Sequence, residues 1–332
     1  MGICISSESF EIQPVDFGNE NVVHYDDNNI SENQCVIGSV FSQQGNKGNN
    51  QDSAILYQRY GVENGVFGGV FDGHGENGHI VSKFVMNKLP SLLLKLTFSL
   101  PKIFSVNQNV MRRNFNKWKK VCWSSFLVMD RDIKSLENLD CSFSGTTAVV
   151  AIRQDDDLVI ANLGDSRAVL GRKTEEGVIE AVQLTTDLKP SLPSEVERIR
   201  RCGGRVFARK EEPHIQRVYL PNEDVHGLAM TRSFGDFMVK YFGIISEPDV
   251  SYHHITPNDQ FVVLATDGVW DVLSNNQVVS IVCATNNAAA AAETVVQASL
   301  DAWKQRFPNS KRDDSTVICL YLQQGASLQN GT

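Results

Sequence analysis

The sequence predicts an α+β fold in which sheets pack against helices. Two observations carry this. Short runs rich in Val, Ile and Phe and bounded by Gly or Asp recur along the chain, and the helical stretches are grouped rather than alternating with them one for one. In chain order the runs are 36–41, 66–71, 146–152, 158–163, 168–170, 261–265 and 316–322, all short enough to be strands. The helical stretches are 79–96, 113–136 and 288–306; in the last, Ala292, Val295, Val296, Ser299 and Trp303 share one face at helical spacing. Strict βαβ alternation would have signalled a doubly wound parallel sheet, and this order argues against one.

With 332 residues, 42% hydrophobic and 21% charged, the chain has ordinary globular composition and can bury a sizeable core. No repeat recurs and no linker interrupts the apolar segments, so 34–322 reads as one continuous domain. The polar, aperiodic stretches 1–33 and 323–332 read as flexible tails. Lys and Arg number 31 against 39 Asp and Glu, a formal charge of −8, which leaves no overall positive field for a phosphate backbone and argues against nucleic acid as a main partner. The seven cysteines are scattered without a CxxC pair, which excludes a zinc knuckle and fits a reducing compartment. The most apolar stretch, 89–104, is broken by Pro90, Lys95, Pro101 and Lys102 and cannot span a bilayer.

Chemistry gathers where the runs end. The run 66–71 leads into Asp72-Gly73, 158–163 into Gly164-Asp165, and 261–266 into Asp267-Gly268, while 316–322 begins just after Asp313-Asp314. A single Asp-Gly is usually only a turn former. Carboxylates on several strand tips can instead converge, and like charges brought together need a cation. Oxygen donors without a His or Cys cluster select a hard ion such as Mg²⁺ or Mn²⁺.

Seven segments then match a known family in its order: 45–52 (GNKGNNQD), 71–75 (FDGHG), 144–148 (SGTTA), 162–167 (NLGDSR), 228–236 (LAMTRSFGD), 265–271 (ATDGVWD) and Asp313-Asp314. The chain resembles the metal-dependent type 2C Ser/Thr protein phosphatases, most closely the plant members. The resemblance implies two antiparallel β-sheets in a central sandwich flanked by α-helices, in α/β/β/α layers. It also implies two Mg²⁺ or Mn²⁺ ions in a cleft at one end, with a weaker third. By position, Asp72 would bridge the two ions, with the Gly73 carbonyl and Asp52 on one side and Asp267 and Asp313 on the other; Asp165, Asp267 and Asp271 match the third site. The implied reaction is hydrolysis of phosphoserine and phosphothreonine in protein substrates, by attack of a water bridging the two ions. His74 matches the family's general acid, which protonates the leaving oxygen.

The sequence departs from the family at several positions. Lys47 stands where many members have an Arg that grips phosphate, which puts substrate affinity in question. Gln51 replaces a carboxylate that touches metal-associated water, and Asp314 stands where many have Asn. The variable flap, 195–227, carries Arg198, Arg200, Arg201, Arg205, Arg209 and Arg217, a basic lip that would favour acidic substrates or else a solvated charged face. It lacks the tryptophan used by hormone-receptor-inhibited members, so that regulation is not expected. The alternative to an enzyme is a non-catalytic phosphoprotein-binding module on the same fold, against which Asp52, Asp72, His74, Asp267 and Asp313 all speak.

The first residues, Met1-Gly2-Ile3-Cys4-Ile5-Ser6, fit N-myristoylation of Gly2, with Cys4 placed for palmitate as a second anchor. The expectation is a monomer held at the cytoplasmic face of the plasma membrane. In the second helical stretch Arg112, Arg113, Lys117, Lys119 and Lys120 interleave with Phe115 and Trp118, a composition of partner-binding helices and, more often, of surface helices with one side in the core.

Overall fold

The structure, a computed structural model, describes residues 22–25, 37–98, 108–210 and 212–323. The acylation signal at Gly2 and Cys4 lies outside them. Two sheets face each other. In the first, Val22–Tyr25, Asp52–Gln58, Val66–His74, Ala148–Gln154, Asp157–Leu163 and Asp249–His254 lie side by side in that order. In the second the order is Gly38–Gln43, Ser315–Tyr321, Asp259–Ala265, Arg167–Lys173 and Ile179–Gln183. The pairings between these strands are antiparallel except at the edge, where Val22–Tyr25 adds in parallel to Asp52–Gln58. The expected tail 1–33 therefore contains a strand.

Each sheet is covered on both faces, which is why the central runs read as continuous apolar stretches instead of alternating ones. Along Asp259–Ala265, Val262 and Leu264 point between the sheets with Ala54, Val70, Ile318 and Leu320. Phe261, Val263 and Ala265 point outward into a layer built from Asn275–Ala284 and Ala291–Arg306. On the other side Ile55, Phe67 and Phe71 pack against Gly78–Phe98 and Gln108–Lys134 through Val81, Val85, Leu89, Phe126 and Met129. This is the expected α/β/β/α order. Phe115 and Trp118 pack against that outer core, so the basic helix has its apolar side in the fold. No helix among the described residues is long and apolar enough to cross a membrane.

Several elements differ from the sequence reading. The run 146–152 is two strands, Gly145–Thr146 and Ala148–Gln154, broken where the Thr147 N–H donates to the Asp72 carbonyl at 2.9 Å. The flap begins earlier, with the helix Pro193–Arg201. It continues as the hairpin Arg205–Ala208 with Gln216–Tyr219 and has a small core of its own, Ile199, Val218, Leu220, Val239 and Ile244.

Candidate active site

Antiparallel pairing decides where the strand-tip aspartates go. Asp52 opens one strand and lies directly opposite Asp72 near the end of its neighbour. Asp259–Ala265 ends opposite both Val317, near the start of the last strand, and Arg167, so Asp267, Asp313 and Asp165 emerge at one end of the second sheet. Thr266 ties the two sheets together at that end: its Oγ1 donates to Asp52 Oδ2 at 2.9 Å and accepts the Thr316 N–H at 3.1 Å. Two glycines permit the close approach. A Cβ on Gly73 would lie 2.5 Å from the carbonyl oxygens of Gln51 and Gly78, and one on Gly268 would lie 1.8 Å from that of Asp314.

The gathered carboxylates are electrostatically unfavourable as they stand. Burial pushes the Asp52 carboxyl up to about 8, with Asp314 and Asp313 adding repulsion against the hydrogen bonds from Thr316 and Thr266. Asp72 and Asp267 are half-buried, yet loss of water and then neighbouring aspartates raise both well above the usual carboxylate range. Asp165 is 1% exposed and also raised, chiefly by burial, and its Oδ1 has no hydrogen-bond partner. Gln51 Oε1 is likewise buried and unpartnered. An all-oxygen set of crowded acids with orphaned acceptors is the environment a hard divalent cation would stabilise, so the residues fit Mg²⁺ or Mn²⁺.

Among the described residues, however, no three acidic, His or Cys side chains close on one point. The reason is visible in their partners. Asp313 is turned to the Lys47 ammonium, Asp52 to Thr266, and Asp165 and Asp271 to Lys189 Nζ at 3.5 and 3.6 Å. Two lysines thus hold positions among the acids. Lys47 is expected at the site and arrives there by pairing with an expected metal ligand; Lys189 was not foreseen. Asp314 faces away from the others' task, its two oxygens accepting the backbone N–H groups of Gly45 at 2.7 Å and Gln51 at 2.8 Å, which pins the loop that carries Lys47.

His74 stands beside this cluster, its Nε2 2.7 Å from Asp236 Oδ2, which also accepts from Ser233 Oγ at 2.6 Å. Burial works against the imidazolium, but the charge and hydrogen bond of Asp236 outweigh it and the His74 pKa is raised. Sequence reasoning quoted Asp236 in a motif and gave it no role. It reaches His74 because Phe234–Gly235 pairs with Gly145–Thr146, which in turn pairs with Gly73 and His74.

Five of the six arginines expected to form the basic lip have partners within the flap. Arg198 is bound to Glu195, Arg205 to Asp224, Arg217 to Glu212 and Arg201 to Glu197, while Arg209 donates to the carbonyls of Asp224 and Val225. These five arginines build the flap rather than project a field from it. Glu195, 3% exposed, accepts from Arg198, Arg232 and Thr231 and anchors the flap helix to the segment leading to Asp236.

Comparison with known proteins agrees with this arrangement. Residues 38–305 match the family described as Protein phosphatase 2C. The chain is 53% identical over 330 residues to Probable protein phosphatase 2C 72 of Arabidopsis thaliana, covering 97% of this chain and 98% of that one. It is 45% identical over 358 residues to Probable protein phosphatase 2C 12 of Oryza sativa subsp. japonica, covering 97% and 92% respectively. Among solved structures, a serine-threonine phosphatase 2C from Toxoplasma gondii superposes with a TM-score of 0.76 at 25% identity, over 86% of this chain and 94% of that one. The chain belongs to the protein phosphatase 2C family, a metal-dependent family of hydrolases, and is a protein serine/threonine phosphatase by class. Asp313 lies beyond the matched span; its place rests on the pairing of Ser315–Tyr321 with Asp259–Ala265.

Proposed function

We propose that the cleft hydrolyses phosphoserine and phosphothreonine esters of proteins, with Asp52, Asp72, the Gly73 carbonyl, Asp267 and Asp313 holding two Mg²⁺ or Mn²⁺ ions and Asp165 and Asp271 contributing to a weaker third site. The observation that supports this best is the set of buried and half-buried aspartates held together at one end of the sandwich, raised by burial and then by mutual repulsion, with Lys47 and Lys189 beside them. When bound, the ions supply an acidified water as nucleophile and offset the charge of the phosphoryl group.

The chain's own residues do the rest. His74, its pKa raised by Asp236 against burial, is placed to give a proton to the departing seryl or threonyl oxygen. Lys47, exposed beside Asp313, would offer a point charge to the phosphate. No covalent intermediate on the protein is required. The membrane tether expected from Gly2 and Cys4 is carried as part of this proposal, with the chain acting as a monomer; its support is the acceptor pattern alone.

The test is phosphate release from a phosphothreonine peptide by the full chain in Mn²⁺, in Mg²⁺ and in EDTA, beside Asp267→Ala. Metal-dependent release that falls by at least about a thousandfold in the variant is expected. No release in any metal from folded protein would favour the phosphoprotein-binding alternative.

A further inference from the structure

We infer that Lys189 is the resident cation of the Asp165 and Asp271 pair and that a divalent ion must displace it, so that this lysine sets the affinity of the weaker ion site. The inference rests on the metal reading given above.

Lys189 is delivered to this place by a well-fixed loop. The Leu188 N–H donates to the Gly164 carbonyl at 2.9 Å, directly before Asp165, and the Leu188 carbonyl accepts the Thr231 N–H at 2.8 Å. One residue earlier, Asp187 takes a forked pair of hydrogen bonds from Arg167, at 2.9 and 2.5 Å. The chain leading into Lys189 is thus pinned, the Lys189 carbonyl accepts the Leu192 N–H at 3.1 Å on the following side, and the lysine side chain extends to Asp165 and Asp271. The contacts of 3.5 and 3.6 Å are longer than the roughly 2.7–2.9 Å of a charge-assisted hydrogen bond, so the ammonium neutralises the pair without being locked to it. Its side chain is 34% exposed, which leaves it a path into water. Asp165 Oδ1 remains buried and unpartnered even with the lysine present, an acceptor the ammonium does not satisfy.

An ammonium and a divalent ion cannot share so small a space. Two positive charges a few Å apart near a protein surface repel strongly enough to weaken a competing cation by about a factor of ten or more. Lys189 would therefore keep the cluster folded when no ion is present and make the third ion bind last.

The experiment is Mn²⁺ titration of the full chain, with free Mn²⁺ read by its EPR signal, for wild type, Lys189→Met, Lys189→Gln, Lys189→Arg and Asp271→Asn. Wild type should show two tight ions and a weaker class. Lys189→Met should tighten the weaker class by roughly tenfold or more and leave the tight class unchanged. Lys189→Gln serves the same purpose should the Met variant not fold. Lys189→Arg should stay within about threefold of wild type, and Asp271→Asn should lose the weaker class. A weaker class unchanged or loosened in both neutral variants, with the tight class intact, overturns the role of Lys189 alone. Absence of the tight class from wild type would instead overturn the metal reading itself.

Discussion

The cleft aspartates and the flap's Glu195 are carboxylates held by the same fold under opposite electrostatic regimes. Glu195 is withdrawn from water, which would raise its pKa, yet the hydrogen bonds of Arg232, Arg198 and Thr231 bring it down to about 2. Asp52 is withdrawn to a similar extent, receives hydrogen bonds only from hydroxyls, faces Asp314 and Asp313, and rises to about 8. The difference separates structure from chemistry. Where the flap needs only to stay folded, Glu195 is met by two guanidinium groups; where a cation is to be bound, Asp52 is met by hydroxyls and by further acids.

The largest consequence is in the dependence of stability on pH. A carboxyl whose folded pKa is raised binds its proton more tightly in the folded state, so metal-free stability should fall as pH climbs from about 4 to about 8 on account of Asp52. A shift of this size corresponds to several kcal/mol at about 1.4 kcal/mol per unit. Glu195 does the reverse: its stabilisation is complete above its ordinary 4.5 and is lost as pH falls toward about 2. Urea melts in EDTA between about pH 5 and pH 8 should show declining stability, and saturating Mn²⁺ should flatten the decline. A metal-free profile that is flat or rising would break the contrast between the two regions.

Next in size is Glu195→Gln. It leaves the guanidinium groups of Arg198 and Arg232 facing one another without a counter-charge in a site where both are largely enclosed, at a cost of about 3–5 kcal/mol. The loss should appear equally in EDTA and in Mn²⁺, since no proposed metal ligand is touched. A loss that Mn²⁺ restored would tie the flap to the ion site and blur the distinction drawn here.

What the sequence disclosed follows the same division. Asp72, Asp165, Asp267 and Asp313 were legible because each sits at the edge of an apolar run beside a glycine or a second acid, a local signal. The strand Asp52–Gln58 was missed because its buried stretch covers both faces and shows no alternation, and Asp249–His254 because its residues are mostly polar. Pairing of charges is not always local. Among the flap arginines Arg198, Arg201 and Arg217 meet carboxylates three to five residues away, but Arg205 meets Asp224 19 residues on, and Glu195 is also reached from outside the flap by Arg232, 37 residues away. Asp236 and Lys189 escaped for the same reason, their meaning being supplied by His74 and Asp165 across the fold.

Asp236→Asn sharpens the comparison within the site, because the partner of Asp236 is the imidazole of His74. Removing its charge leaves burial opposed by the charge of Asp165 without that of Asp236, so the imidazolium should lose its proton at lower pH. The alkaline limb of the kcat profile should move down, and kcat near neutrality should fall by about ten- to hundredfold with KM little changed. A drop in kcat without movement of the limb would mean that Asp236 supports the local turn and not the proton.

Lys47→Arg should have the smallest effect, and its direction is the informative part. The lysine side chain is 51% exposed, so its pair with Asp313 is screened and adds little to stability. It is raised in pKa, Asp313 overcoming partial burial, and so remains a full positive charge at working pH. Two tasks compete for that charge: holding Asp313 when the ion is absent, and meeting the phosphate when it is present. Arginine can do the second with a planar fork that fits two phosphate oxygens at once, a gain of under about 1 kcal/mol at so open a position. KM for a phosphothreonine peptide should therefore fall by about two- to fivefold with kcat unchanged. If KM is unmoved while the Mn²⁺ requirement rises, the first task dominates, and position 47 belongs with Lys189 among the cations that stand in for metal.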